Sequence, residues 1–244
     1  LILGISSIAC GFYAIWHGWI GYMPNLYQLE NPINKYATQV FSADEKQIGT
    51  WSYSKANRIF VYYEDIWEWM IKALIATEDV RFHDHSGIDF KALMRAIIKR
   101  GIMGQTSAGG GSTITQQLAK NLYKTRRRDT GLEGKAGTLS AKAQEYVIAT
   151  QLEYNYTKEE IVAMYLNTVE FSSSNFGIRS AANNFFGKEP HDLSIEEAAV
   201  IAGQVKAPGT YAPLRAGKPN PKAKERRDLV LGRMVVAGAI SQAT

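Results

Sequence analysis

The sequence predicts a mainly α domain that carries one small β element and an N-terminal transmembrane helix. Three observations carry this reading. Apolar residues recur at helical spacing behind helix-start signals from Asp65 to beyond Met234; short β-like runs are confined to residues 38–63; and Leu1 to Leu29 contains no Asp, Glu, Lys or Arg. A chain of 244 residues can bury a full core, so one large domain with an appendage is expected.

The boundaries read as an anchor over 1–22, a linker with a short β element over 23–64, and the main domain over 65–244. The first twenty residues are dominated by Leu, Ile, Ala, Phe, Trp and Gly, and twenty helical residues span about 30 Å, one bilayer core. Trp16, Trp19 and Tyr22 form an aromatic cluster of the interfacial kind, and Met23-Pro24-Asn25 is expected to end the helix. A signal peptide is the rival reading, without a basic n-region to support it. In the linker, Thr38 to Ser42, Gln47 to Trp51 and Arg58 to Tyr63 are β-like and separated by turn formers.

From Asp65 the period becomes helical. Asp65 with Glu68 has the spacing of a capping box, and Ile66, Trp69, Met70, Ala73 and Leu74 follow on one face, bringing Glu78 and Asp79 to the C-terminal end. Asp89 caps a second helix, and Gly101 to Gly111 reads as a loop before a helix capped by Thr113 and Gln116. Further helices are expected over 141–154, 158–168 behind Thr157 and Glu160, 176–186, 195–206 behind Ser194 and Glu197, and from Pro219-Asn220-Pro221 past Met234.

A single cysteine, Cys10, rules out a disulfide framework or a cysteine zinc site within the chain. The net charge of +5 favours anionic partners: nucleic acid, lipid head groups or a phosphorylated substrate. The excess is local. Seven basic residues (Lys120, Lys124, Arg126, Arg127, Arg128, Lys135, Lys142) face two acids between 120 and 142, although a solvated loop would have the same composition.

Three constellations carry chemistry. Glu78 and Asp79 close a helix whose end already bears partial negative charge, so an acid there needs compensation. Either Glu78 enters a cleft where a raised pKa suits a general base, or basic groups hold it; a solvated acid pair is the ordinary alternative. His83 and His85, at alternate positions of a loop, are read as structural rather than metal-binding. Gly109 to Ser112 leads into a helix bearing Gln116, Gln117 and Lys120, which suits a pyrophosphate seat or a flexible hinge, and lacks the Gly-Lys-Ser/Thr of a nucleotide loop. Lys142 and Glu145, three apart, share a helix face, as a common surface salt bridge would.

Taken together and in order, these segments resemble the peptidoglycan glycosyltransferases (glycosyltransferase family 51) of class A penicillin-binding proteins and monofunctional transglycosylases. The match runs from about Trp51 to Met234. Glu78, Asp79, Phe82, His85 and Gly87 fit a Glu-Asp-x-x-Phe-x-x-His-x-Gly block, and Gly110 to Asn121 fits Gly-Gly-Ser-Thr-Ile-x-Gln-Gln-x-x-Lys-Asn in full. Lys142 and Glu145 represent Arg-Lys-x-x-Glu. Tyr165-Leu166-Asn167, Phe176-Gly177, Ala181 to Lys188, Ala207 to Pro213 and Arg227 to Met234 supply the remaining blocks. The chain departs from the pattern at Ala141, where the family has arginine, at an insertion-like Asp129 to Thr138, and at Ser172 to Ser174 in place of a glycine.

The resemblance implies a lysozyme-like, two-lobed helical domain whose smaller lobe is partly membrane-embedded, with the cleft between the lobes, and assigns residues 65–244 to it. It implies polymerisation of lipid II into β-1,4 glycan strands with inversion and release of undecaprenyl pyrophosphate. Glu78 and Glu145 are the implied catalytic residues, Glu78 as the base. Ser112, Thr113, Gln116, Gln117, Lys120, Arg126, Arg127 and Lys142 are the implied substrate contacts, because a pyrophosphate leaving group needs charge neutralisation more than protonation. The resemblance fixes no cofactor and leaves open a divalent cation (Mg or Mn) at the pyrophosphate. Implied partners are lipid II, the undecaprenyl-pyrophosphate-linked glycan, the bacterial inner membrane with the domain on its periplasmic side, and cell-wall elongation or division proteins, with no nucleic acid. The end at Thr244 points to a longer, bifunctional protein. The alternatives are a lytic muramidase of similar fold acting on peptidoglycan, a non-catalytic wall-binding protein, and a nucleic-acid binder resting on the basic stretch alone.

Overall fold

The structure is a computed structural model, and it describes residues 2–20, 23–30, 38–51, 58–99, 111–123, 131–172 and 175–242. In chain order these form α1 (Ile2–Trp16), α2 (Leu26–Glu30), β1 (Thr38–Phe41), β2 (Gln47–Trp51), α3 (Glu68–Glu78), α4 (Phe90–Ile97), α5 (Ile114–Tyr123), α6 (Gly131–Asn155), α7 (Lys158–Thr168), β3 (Glu170–Phe171), β4 (Asn175–Phe176), α8 (Ile178–Phe186), α9 (Ile195–Gln204), β5 (Leu214–Arg215), β6 (Lys218–Pro219) and α10 (Pro221–Val236). The expected mainly α architecture holds, with three two-stranded antiparallel sheets beside the helices. The chain divides into two compact units, residues 1–32 with 82–161 and residues 33–81 with 162–244.

In the first unit, α1, α2 and α5 all pack on α6. Phe82, Ile114, Leu118, Ala119, Ile148, Ala149 and Leu152 are fully buried there. Asp89 caps α4 through its side chain and the Ala92 N–H, as its position before the apolar face predicts. At the end of this unit, Thr157 and Glu160 make the reciprocal capping box in front of α7.

The second unit is built around α9, which packs against α3 and α10. Alanines and small residues line that helix (Ala198, Ala199, Ala202, Gly203), so backbones approach closely; a Cβ on Gly203 would sit 3.0 Å from Cγ of Arg226. Met70, Leu74, Tyr165, Ile178, Ile201, Val230 and Met234 fill the core. Ser194 and Glu197 form the expected capping box, and Asn220 caps α10 with Pro221 at its first position. The side-chain amide of Asn167 accepts from the Val61 N–H (2.9 Å) and donates to the Val61 carbonyl (2.8 Å), fixing the segment that enters α3.

Several expected boundaries move, each for a local reason. The first helix does not run to Pro24: it ends at Trp16, because Gly18 takes φ +70° and the Trp19 N–H closes back on the Ala14 carbonyl. At 15 residues α1 is about 22 Å long, and among the described residues no helix is long and apolar enough to cross a membrane. Asp65 lies in a 3₁₀ turn, and α3 starts at Glu68 with Trp67 as a cap that makes no side-chain bond. The β-like run 58–63 forms no strand, since Asn167 rather than a neighbouring strand takes its backbone groups at Val61. The helix expected from 141 begins at Gly131, so the described part of the insertion-like stretch extends α6. The hairpin of β1 and β2 matches expectation, with Thr38 opposite Trp51.

Candidate active site

Glu78 is the last residue of α3, in the second unit. Its carboxylate meets the guanidinium of Arg226 on α10 at 3.6 Å, and its side chain keeps 15% exposure. Two turns further along α10, Arg233 donates to the Thr77 carbonyl at 2.6 Å. Two arginines of one helix therefore supply the positive charge that the C-terminal end of α3 and its acid require. Of the two explanations open from sequence, basic groups holding Glu78 is the one the geometry displays. The charge is felt nearby. Burial pushes the Tyr165 phenol well above its ordinary pKa, and the Glu78 charge adds to it. Burial lowers the Arg226 pKa, which Glu78 opposes.

Arg226 is reached because its stem lies along Gly203, whose carbonyl accepts from Arg226 Nε at 3.3 Å. Neither residue was singled out in the sequence. The signal was present only in outline: an acid at a helix C-terminus calls for a cation, but nothing local says which of 28 lysines and arginines provides it.

The other expected residues gather in the first unit. Lys142 on α6 donates to Ser112 Oγ (3.0 Å), Gln116 Oε1 (3.0 Å) and Glu145 Oε2 (2.8 Å), which uses all three protons of an ammonium. Its nitrogen also lies 5.1 Å from the centre of the Tyr146 ring. Glu145 is 1% exposed, so the pair is not the surface salt bridge that spacing alone allowed. Burial followed by the charge of Glu145 raises the Tyr146 phenol pKa.

Gly87, in the same unit, is bonded to this cluster. Its carbonyl accepts from Thr113 Oγ1 (2.7 Å) and from Gln116 Nε2 (3.0 Å), while Thr113 Oγ1 also caps α5 at the Gln116 N–H. Only glycine fits: φ is +89°, and a Cβ would stand 2.9 Å from the Ala149 carbonyl carbon and oxygen. His85 accepts the Gly87 N–H on Nδ1, the structural role expected for the loop histidines.

Thr113 and Gln116 are buried and bonded to protein groups, Gln117 and Lys120 are half-buried on α5, and Arg126 and Arg127 lie outside the described residues. Ala141, at the departure from the arginine of the family pattern, is buried. Ser172, at the third departure, donates to Gln204 Oε1 from its N–H (3.2 Å) and its hydroxyl (2.5 Å). Among the described residues no three His, Cys, Asp or Glu side chains gather as a metal site would require.

A family model described as Transglycosylase matches residues 44–235. The chain is 35% identical over 243 residues to penicillin-binding protein 2a of Streptococcus pneumoniae, covering 99% of this chain and 30% of that protein. It is 36% identical over 245 residues to penicillin-binding protein 1A of Escherichia coli (99% and 27%), and 42% over 185 residues to penicillin-binding protein 1F of Bacillus subtilis (76% and 24%). The chain thus spans less than a third of the length of each of these relatives. The crystal structure of penicillin-binding protein 1A from Haemophilus influenzae aligns with a TM-score of 0.43 at 23% identity, over 86% of this chain and 20% of that one.

Proposed function

The chain belongs to the transglycosylase family, and from that premise we propose that it is a peptidoglycan glycosyltransferase that polymerises lipid II. The observation that carries the proposal is the setting of Glu78: a partly exposed carboxylate at a helix end, with its charge balanced by a buried arginine. In this reading Glu78 takes the proton from the 4-hydroxyl of the acceptor N-acetylglucosamine. The freed oxygen bonds to the anomeric carbon of the donor glycan from the face opposite the leaving group. The bond from that carbon to the phosphate oxygen breaks, giving a β-1,4 link and undecaprenyl pyrophosphate.

Charge develops on the departing pyrophosphate, and the preorganised Lys142 ammonium is suited to stabilise it. Ser112, Gln117 and Lys120 are proposed to contact the phosphates with it, together with Arg126 and Arg127. Thr113 and Gln116 support them from beneath, and Glu145 holds Lys142 in place. A divalent cation, Mg or Mn, at the pyrophosphate is the one addition this proposal admits.

A lipid-linked substrate confines the reaction to a bilayer surface, and we assign the N-terminal segment to that surface. Its support is the absence of charged side chains from Leu1 to Leu29 and the exposure of Tyr13, Trp16, Trp19 and Ile20. The domain then works on the periplasmic face of the inner membrane, where cell-wall elongation or division proteins are the natural partners. The test is incubation of the detergent-solubilised chain with labelled lipid II: glycan strands and released undecaprenyl pyrophosphate are expected. Release of fragments from purified wall, with no polymer from lipid II, would turn the assignment into that of a lytic muramidase.

A further inference from the structure

Below the Lys142 cluster, the first unit holds a second ion pair that the proposed reaction does not use. Glu153 of α6 and Lys158 of α7 meet at 2.6 Å with side chains 5% and 21% exposed. The other oxygen of Glu153 accepts from Thr115 Oγ1 at 2.6 Å. Lys158 Nζ also donates to the His85 carbonyl at 2.6 Å and sits 4.4 Å over the ring of Phe82. One ammonium thus grips the loop 82–87 at two points while its counterion is tied to α5.

The connections continue to Lys142. The Gly87 N–H is bound by His85, and the Gly87 carbonyl receives the Gln116 amide nitrogen. A primary amide has a donor end and an acceptor end, and its partners decide which way it points. With its nitrogen on Gly87, Gln116 turns its oxygen to the Lys142 ammonium. If the Gly87 carbonyl withdrew, the amide could rotate and set its NH₂ against the ammonium, donor facing donor. Because Thr115 and Gln116 are neighbours on α5, the chain of bonds from Thr115 through Glu153, Lys158, His85 and Gly87 closes into a ring.

We infer that Lys158 is a positioning residue: by clamping the 82–87 loop it fixes the orientation of the Gln116 amide and so the place of the Lys142 ammonium. The inference rests on the reading that the Lys142 cluster serves glycosyl transfer, and its test separates the two. In the whole chain in detergent, Lys158→Met combined with Glu153→Gln removes the pair without stranding a buried charge. Polymerisation of lipid II should then lose about tenfold in kcat with KM little changed, but less than about twofold when Gln116→Ala is already present, since residues acting in one network are not additive. Lys158→Arg, which can still pair with Glu153 and the His85 carbonyl, should keep most of the rate.

A second readout needs no activity. The side-chain amide NMR signals of Gln116, assigned by their loss in Gln116→Ala, should shift in the double variant and stay in place in a Lys188→Met control. Equal losses in the two backgrounds, or unmoved Gln116 signals, would overturn the inference. A wild-type chain that makes no polymer would instead remove the proposed function and leave the amide measurement to decide this point.

Discussion

Two of the carboxylate–cation pairs among the described residues, Glu78 with Arg226 and Glu145 with Lys142, are of a kind that chemistry alone would call equivalent, and their surroundings make them opposites. Glu78 keeps 15% exposure and meets Arg226 at 3.6 Å, whereas Glu145 is 1% exposed and meets Lys142 at 2.8 Å. The Lys142 ammonium has all its protons committed, while the Arg226 guanidinium reaches Glu78 over a longer distance. A carboxylate that must accept a proton needs access to the group that gives it; one that holds a cation in place needs the reverse. Residue type is shared, and burial and bond length set the two apart.

The comparison can be tested at both ends. The largest effect is expected at the exposed carboxylate: Glu78→Gln should lower polymerisation of lipid II by about 10³-fold, the middle of the range for a lost general base, with the helical circular dichroism retained. Retained polymerisation would reverse the division drawn between the pairs. At the buried carboxylate the expected effect is on folding. Lys142→Ala leaves Glu145 without its cation and should cost about 3 kcal/mol in unfolding free energy, read by denaturant titration, with part of it recovered in Lys142→Ala combined with Glu145→Ala. Full stability of the single variant would make the pair no more than a surface bridge. The smallest change sharpens the Glu78 side: Arg233→Ala removes the donor to the Thr77 carbonyl and should cost about 1 kcal/mol by the same titration.

What the sequence made legible follows the range of the interaction. The caps at Asp89, Thr157 with Glu160 and Ser194 with Glu197 are set by residues three apart, and each is found where it was expected; α10 starts at the expected Pro221, with Asn220 as its cap. The Lys142 and Glu145 pair, three apart on one helix, is of the same kind. The partners of Glu78 are not. Arg226 reaches it because α10 packs beside α9 at Gly203, a tertiary fact without a local period. The clamp by Lys158 escaped notice for the same reason, as beside its near neighbour Glu153 the ammonium also takes a backbone carbonyl in a remote loop. The early end of α1 had a signal in Gly18, which an uninterrupted apolar composition concealed.

The saturated ammonium of Lys142 also determines how an anion would experience it. A flexible lysine can swing toward any negative group and follow it; this one is held by a hydroxyl, an amide and a carboxylate in three directions. It offers a fixed field rather than a moving hand, rewarding only a charge that forms at the right spot, which favours the fleeting species of a reaction over the resting substrate.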